Sequence, residues 1–221
     1  QQDRRPLTDE VRESRIQAAV ELFLTTKKPA YRQQLLDEEA TIVAKIESLG
    51  WVVGRALRAI DEPRFTAAVR KAVAGLAKKV DLEGSKNPFG VPYEPVIWGA
   101  GWGIQKFGFE QYFLHATFPD LVGPEHFLRA LEFVLGNHPG ANTASFASCV
   151  GARSMTTAYG LNRADWSYIP GGVVSGTNLV RPDFPELKDF PYFWQQAEYV
   201  LGGGASHFMF LVLAADHVLG K

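Results

Sequence analysis

Apolar residues recur at helical spacing from residue 11 to residue 135, and no stretch of comparable length alternates apolar with polar. That pattern restricts the chain to segments that each bury one face of a helix. Val11, Ile16, Ala19, Val20, Phe23 and Leu24 predict an amphipathic helix over 8–26, with Thr8 or Asp9 placed to cap its start. Lys27-Lys28-Pro29 ends it. A second helical run covers 30–48 and ends near Gly50, with Asp37, Glu38 and Glu39 on its solvated face. Trp51 to Ile60 continues as helix. Asp61 then reads as an N-cap and Pro63 as a first-turn residue, and Phe65, Val69, Val73 and Leu76 carry a helix to about Lys79.

Asp81 to Pro95 reads as a long connection through Gly84-Ser85, Asn87-Pro88 and Gly90. It leads to Ile97-Trp98-Gly99-Ala100-Gly101-Trp102-Gly103, where glycines surround Trp98 and Trp102. Two readings stand for this run: tight packing at a helix start, or the aromatic wall of a ligand cleft. Helices are predicted over 102–117 and 125–135, the second stopped by Gly136. Asn137 to Lys188 carries few helical signals and many Gly, Ser, Thr, Asn and Pro, a length that is uncommon unless it builds a site. A short antiparallel pairing between the 140s and the 170s is its one β feature, as an accessory. Phe190 to Leu201 is predicted helical, and so is Ala205 to Leu219. Phe208 to Ala215 has no polar interruption, so burial nearly all round is expected there. The fold class is all-α, with about six to eight helices stacked as hairpins in a toroid or solenoid.

The 221 residues suffice for one domain with a substantial core. Net charge is -1 and no basic stripe occurs, so nucleic-acid binding has no support. Cys149 is the single cysteine, which excludes an intrachain disulfide and a cysteine zinc site. No apolar run is long enough to span a bilayer. The opening Gln-Gln-Asp-Arg-Arg reads as that of a processed or excised product. His115, His126 and His138 lack metal-ligand spacing, and His207 reads as a core histidine of the final helix.

Asp189 and Glu198 bracket four aromatics, Phe190, Tyr192, Phe193 and Trp194. A carboxyl in apolar company has a raised pKa, which suits a general acid. If 189–198 is helical, Glu198 lies in the last turn before Gly202, where the helix dipole adds to that effect. Asp189 then caps the helix or contacts a sugar hydroxyl or a water. The two carboxyls are separated by about 13 Å along such a helix, too far for one bridging water.

These residues stand as an Asp, four residues, an aromatic (Trp194), three residues and a Glu, with Ala205 closing the pattern as a small residue. The arrangement resembles the second signature of family 9 glycoside hydrolases, inverting endoglucanases with an (α/α)6 barrel. Val134 to Gly140 is similar to that family's leucine-glycine-asparagine-proline turn, Ser145 to Arg153 to the start of its first signature, and Pro170 to Gly176 to the loop that follows. The likeness is specific over about 134 to 205. The chain departs from the pattern at Leu187, Ala197, Val200 and Gly204, and Tyr159 stands where the family has a substrate-binding His, with Arg163 as the nearest downstream Arg.

The resemblance implies that Glu198 is the proton donor in the hydrolysis of a β-linked glucan or related oligosaccharide. It implies that the catalytic base is an Asp on a segment outside this chain, which is then the C-terminal half of the catalytic domain. Tyr159, Arg163, Trp166, Trp98 and Trp102 become candidate substrate contacts, Arg163 by donating to hydroxyls or by pairing internally with Asp165, Trp166 by stacking on a ring. No cofactor is implied; some members carry structural calcium, for which no ligand set is recognisable. A secreted or periplasmic address follows from the family. Two other readings remain: a non-catalytic carbohydrate-binding or scaffold module, and a polysaccharide lyase with Tyr159 as base.

Overall fold

The computed structural model describes residues 8–86, 89–92, 100–137, 144–151, 153–154, 170–179, 193–199 and 203–220. The described residues are mostly helical. They fall into two compact units: Gln1–Lys79 with Phe113–Gly123, and Val80–Tyr112 with Pro124–Lys221.

In the first unit α1 is Asp9–Thr26, α2 Pro29–Asp37, α3 Glu39–Ala44, α4 Ile46–Gly54, α5 Leu57–Ile60 and α6 Pro63–Gly84. Thr8 caps α1 as its sequence predicts, its Oγ1 accepting the Val11 N–H at 3.4 Å, and Lys27 ends the helix in the left-handed region. The single helix expected over 30–48 is instead broken at Glu38 and Lys45. Both break points are tied to α1: Arg12 Nε lies 3.4 Å from Glu38, and Lys45 Nζ lies 2.9 Å from Asp9. Asp61, expected to start the next helix, ends α5 at φ 50°, a left-handed conformation that Asp tolerates better than most residues. The core of this unit is largely aliphatic, with Leu35, Ile42, Leu49, Val53, Ile60, Val69 and Val73 fully buried.

Helix α6 continues past Lys79 to Gly84, so the loop expected from Asp81 begins later. The reason is that Val80, buried, extends the stripe of Val69, Val73 and Leu76 by one more turn. The second unit holds the end of α6, most of α7 (Ala100–Thr117), α8 (Glu125–Val134) and α9 (Gly203–Leu219). Gly136 stops α8 at φ 84°, as expected. Its core is aromatic: Phe133 contacts Phe89 and Phe146 with ring centroids 5.1 and 5.2 Å apart, and Tyr112 meets Phe127 and Phe210 edge-on. Helix α7 approaches α8 closely at Gly108, where an added Cβ would lie 2.6 Å from that of Ala130.

Two expectations fail here. Helix α9 is not buried all round: Leu211, Ala214 and Ala215 are covered, while Met209 and Leu213 are 65% and 66% exposed. Only one stripe of a helix meets a single packed layer, whatever its composition. Of the helix expected over 190–201, the described part, Phe193–Tyr199, is instead a strand, β4. It pairs antiparallel with β3, Val174–Leu179. Phe193, Trp194 and Tyr199 are strand-favouring aromatics, and a short apolar run does not tell helix from strand by periodicity alone. A second small sheet pairs β1 (Ala144–Ser145) in parallel with β2 (Arg153–Ser154). The anticipated pairing of the 140s with the 170s is present as a bridge between Ala147 and Val173.

Candidate functional site

Glu198 lies near the end of β4, five residues before α9 begins at Gly203, and its position in the ribbon is irregular. Val174 pairs with Tyr199 and Gly176 with Gln196, so Ser175 alone stands against both Ala197 and Glu198. Two residues opposing one is a β-bulge, a device that re-aims a strand and is over-represented beside active sites. The strand also removes an argument made from a helix: Glu198 does not lie in a last helical turn. Asp189 itself lies outside the described residues, as do Trp98, Tyr159, Arg163 and Trp166.

The segments that carry the motifs are brought together by backbone hydrogen bonds. Phe146 N–H donates to Val134 O at 2.8 Å, joining the end of α8 to the loop that follows β1. Ser148 N–H donates to Gly172 O and Gly171 N–H to Ser148 O, each at 2.9 Å. The buried Ser145 hydroxyl donates to Ala147 O at 3.0 Å and accepts the Ala147 N–H at 3.2 Å, which fixes the turn from inside. Gly151, at φ 76°, runs so close to the Leu135 backbone that no side chain fits there. Residues 134–136, 144–151, 170–176 and the bulge at 197–198 therefore form one connected assembly.

Trp102 lies in the first turn of α7 and is half-buried. His207, read from sequence as a core histidine, is half-buried with its ring 5.2 Å from that of Phe109. Burial, and secondarily the positive charge of Lys106, hold its imidazole below the ordinary value. Among the described residues no group of three His, Cys, Asp or Glu is placed to hold a metal ion, and no helix is long and apolar enough to cross a membrane.

A second polar feature was not singled out by the sequence. A cleft of about 510 Å³ opens between the end of α6 and α8, with Asp81, His126, Arg129, Glu132 and Asn137 on its walls. His126 is buried and its Nε2 lies 3.1 Å from Asp81 Oδ1; its Nδ1 is buried with no hydrogen-bond partner among the described residues. Asp81 and His126 belong to different helices, and only the fold makes them neighbours.

No protein-family model, curated protein or solved structure matches this chain.

Proposed function

We propose that this chain supplies the general acid of an inverting glycoside hydrolase of the family 9 type, with Glu198 as proton donor and a β-linked glucan or related oligosaccharide as substrate. The observation that supports this reading best is the bulge at Ala197-Glu198, joined through β3 to the other motif-bearing segments. An acid that must meet a bond in a bound polymer needs a fixed backbone under it, and positioning is worth several orders of magnitude in rate.

In the proposed reaction the Glu198 carboxyl gives its proton to the glycosidic oxygen as the bond from that oxygen to the anomeric carbon breaks. A water attacks the anomeric carbon from the opposite face, and a second carboxylate takes its proton. The geometry requires about 6.5–9.5 Å between the two carboxyls to admit the water. The second carboxylate is proposed to be an Asp on a segment outside this chain, which together with it completes an (α/α)6 toroid. Asp189 serves as a contact to substrate or water, and Tyr159, Arg163, Trp166, Trp98 and Trp102 as the walls of the cleft. With Glu198 in a strand rather than a last helical turn, a raised pKa must come from desolvation and from the partner carboxylate in the assembled site.

Glu198→Gln is expected to cut release of reducing sugar by at least about a hundred-fold while circular dichroism stays that of the unaltered protein; near-normal turnover in the variant sinks the assignment. The products also separate the classes. Reducing sugar without ultraviolet absorbance marks hydrolysis, an unsaturated sugar marks a lyase, and binding without either product marks a carbohydrate-binding module.

A further inference from the structure

We propose that the cleft between the end of α6 and α8 is a binding site for a neutral polyhydroxylated molecule, a mono- or disaccharide being the simplest case. Its volume, about 510 Å³, falls in the range of small-molecule sites. Arg129 and Glu132 stand one turn apart on α8 and both are exposed, a spacing at which opposite charges on a helix readily pair. Neither makes an ion pair among the described residues, so the guanidinium donors and the carboxylate acceptor are both open to a ligand.

The surrounding backbone is shaped to hold them. Gly90 adopts φ 68° against the stem of Arg129, where an added Cβ would lie 3.0 Å from Cδ and 3.3 Å from Nε. Gly84, at the end of α6, lies so close to Gly90 that an added Cβ would meet its carbonyl oxygen at 2.9 Å. His126 contributes through Asp81. Leaving its Nδ1 buried and unpaired costs stability. What the position gains is an Nε2 contact that fixes one oxygen of a carboxylate 68% exposed at the cleft.

The chemistry selects the ligand class. Guanidinium and amide donors line the same cleft as carboxylate and amide acceptors, and a hydroxyl satisfies either kind of group. The wall presents both signs of charge, the Arg129 guanidinium beside the carboxylates of Asp81 and Glu132, and a mixed wall of this kind suits a neutral ligand. No triad of metal-ligating side chains is present among the described residues. A neutral polyol matches such a wall.

This site does not depend on the role of Glu198, and the two fail separately. Titration of the purified chain with glucose and with cellobiose, followed by calorimetry and ligand-observed NMR, is expected to give saturable binding. Arg129→Ala and Glu132→Ala should each weaken it about ten-fold or more, the scale of a lost charge-assisted hydrogen bond. Both residues are exposed, so the thermal midpoint should hold, and Glu198→Gln should bind at this site as the unaltered chain does. The proposal is overturned if neither saccharide binds, if both cleft variants bind normally, or if inorganic phosphate binds more tightly than the sugars.

Discussion

Several surface charges of the first unit pair with one another, whereas Arg129 and Glu132 at the α6–α8 cleft make no ion pair among the described residues. In the first unit Arg55 meets Glu21 at 2.5 Å, Lys79 meets Glu47 at 2.6 Å, and Arg70 meets Asp120 at 2.5 Å. These contacts are exposed. Arg70 holds Asp120 below the ordinary carboxylate value, as Lys45 does Asp9 in a fourth exposed pair, yet such pairs add little stability. In the cleft Asp81 meets His126 at 3.1 Å, while Arg129 and Glu132, three residues apart on α8, make no ion pair among the described residues. The paired surface charges use their hydrogen-bonding capacity on each other, whereas Arg129 and Glu132 keep theirs for something else. The cores differ too. The first is filled by branched aliphatics, the second by edge-packed aromatic rings.

The contrast is open to perturbation, beginning with function. Glu198→Gln carries the largest expected effect, loss of glucan hydrolysis by at least about a hundred-fold. Next comes the aromatic core. Phe133→Ala removes a buried ring that touches both Phe89 and Phe146, and should cost about 3–5 kcal/mol by urea unfolding. Leu35→Ala in the aliphatic core should cost about 2–5 kcal/mol, and an equal loss in the two would blur the distinction between them. Gly108→Ala forces a methyl onto Ala130, and overpacking of this kind costs about 1–3 kcal/mol. A variant as stable as the parent would mean that α7 and α8 separate freely.

Two smaller effects depend on pH. His207 has its folded pKa below its ordinary value of 6.5, so the unfolded chain takes up the proton first. Its contribution is complete above 6.5 and fades as pH falls toward the folded value. Thermal midpoints of His207→Phe should therefore lose part of the acid-side decline between pH 7 and pH 5, a window of roughly the imidazole range. Arg70→Ala is expected to be the mildest change. The Arg70–Asp120 pair is present above the ordinary Asp value of 3.8 and is lost as pH falls below it, so variant and parent should converge in acid. A large effect at neutral pH would contradict the view of these pairs as surface furnishing.

Much of the helical scaffold is legible in the residues. The stripe of Ile16, Val20 and Phe23, the cap at Thr8 and the stop at Gly136 each carry their own local signal. The misreadings have local causes as well. The stretch from Phe190 to Leu201 offers aromatics that suit a helix or a strand, and only pairing with Val174–Leu179 decides between them. The apolar run of α9 states how hydrophobic the helix is but not how many neighbours it has. The cleft was not legible at all, because Asp81, Gly90 and the α8 pair His126 and Arg129 come from three separate segments and none has a local pattern that announces the others. The motif spacing at Asp189, Trp194 and Glu198 drew notice to a place that proves irregular in backbone, which composition would not have found.

The most direct test of Glu198 as proton donor compares two substrates in the complete enzyme. A glycosyl fluoride leaves without protonation, whereas a glucan needs an acid at the leaving oxygen. Glu198→Gln is expected to lose turnover of the glucan by at least about a hundred-fold, the low end for general acid catalysis, and to keep most of its turnover of the fluoride. Equal loss on both substrates, or loss on neither, would contradict the assignment.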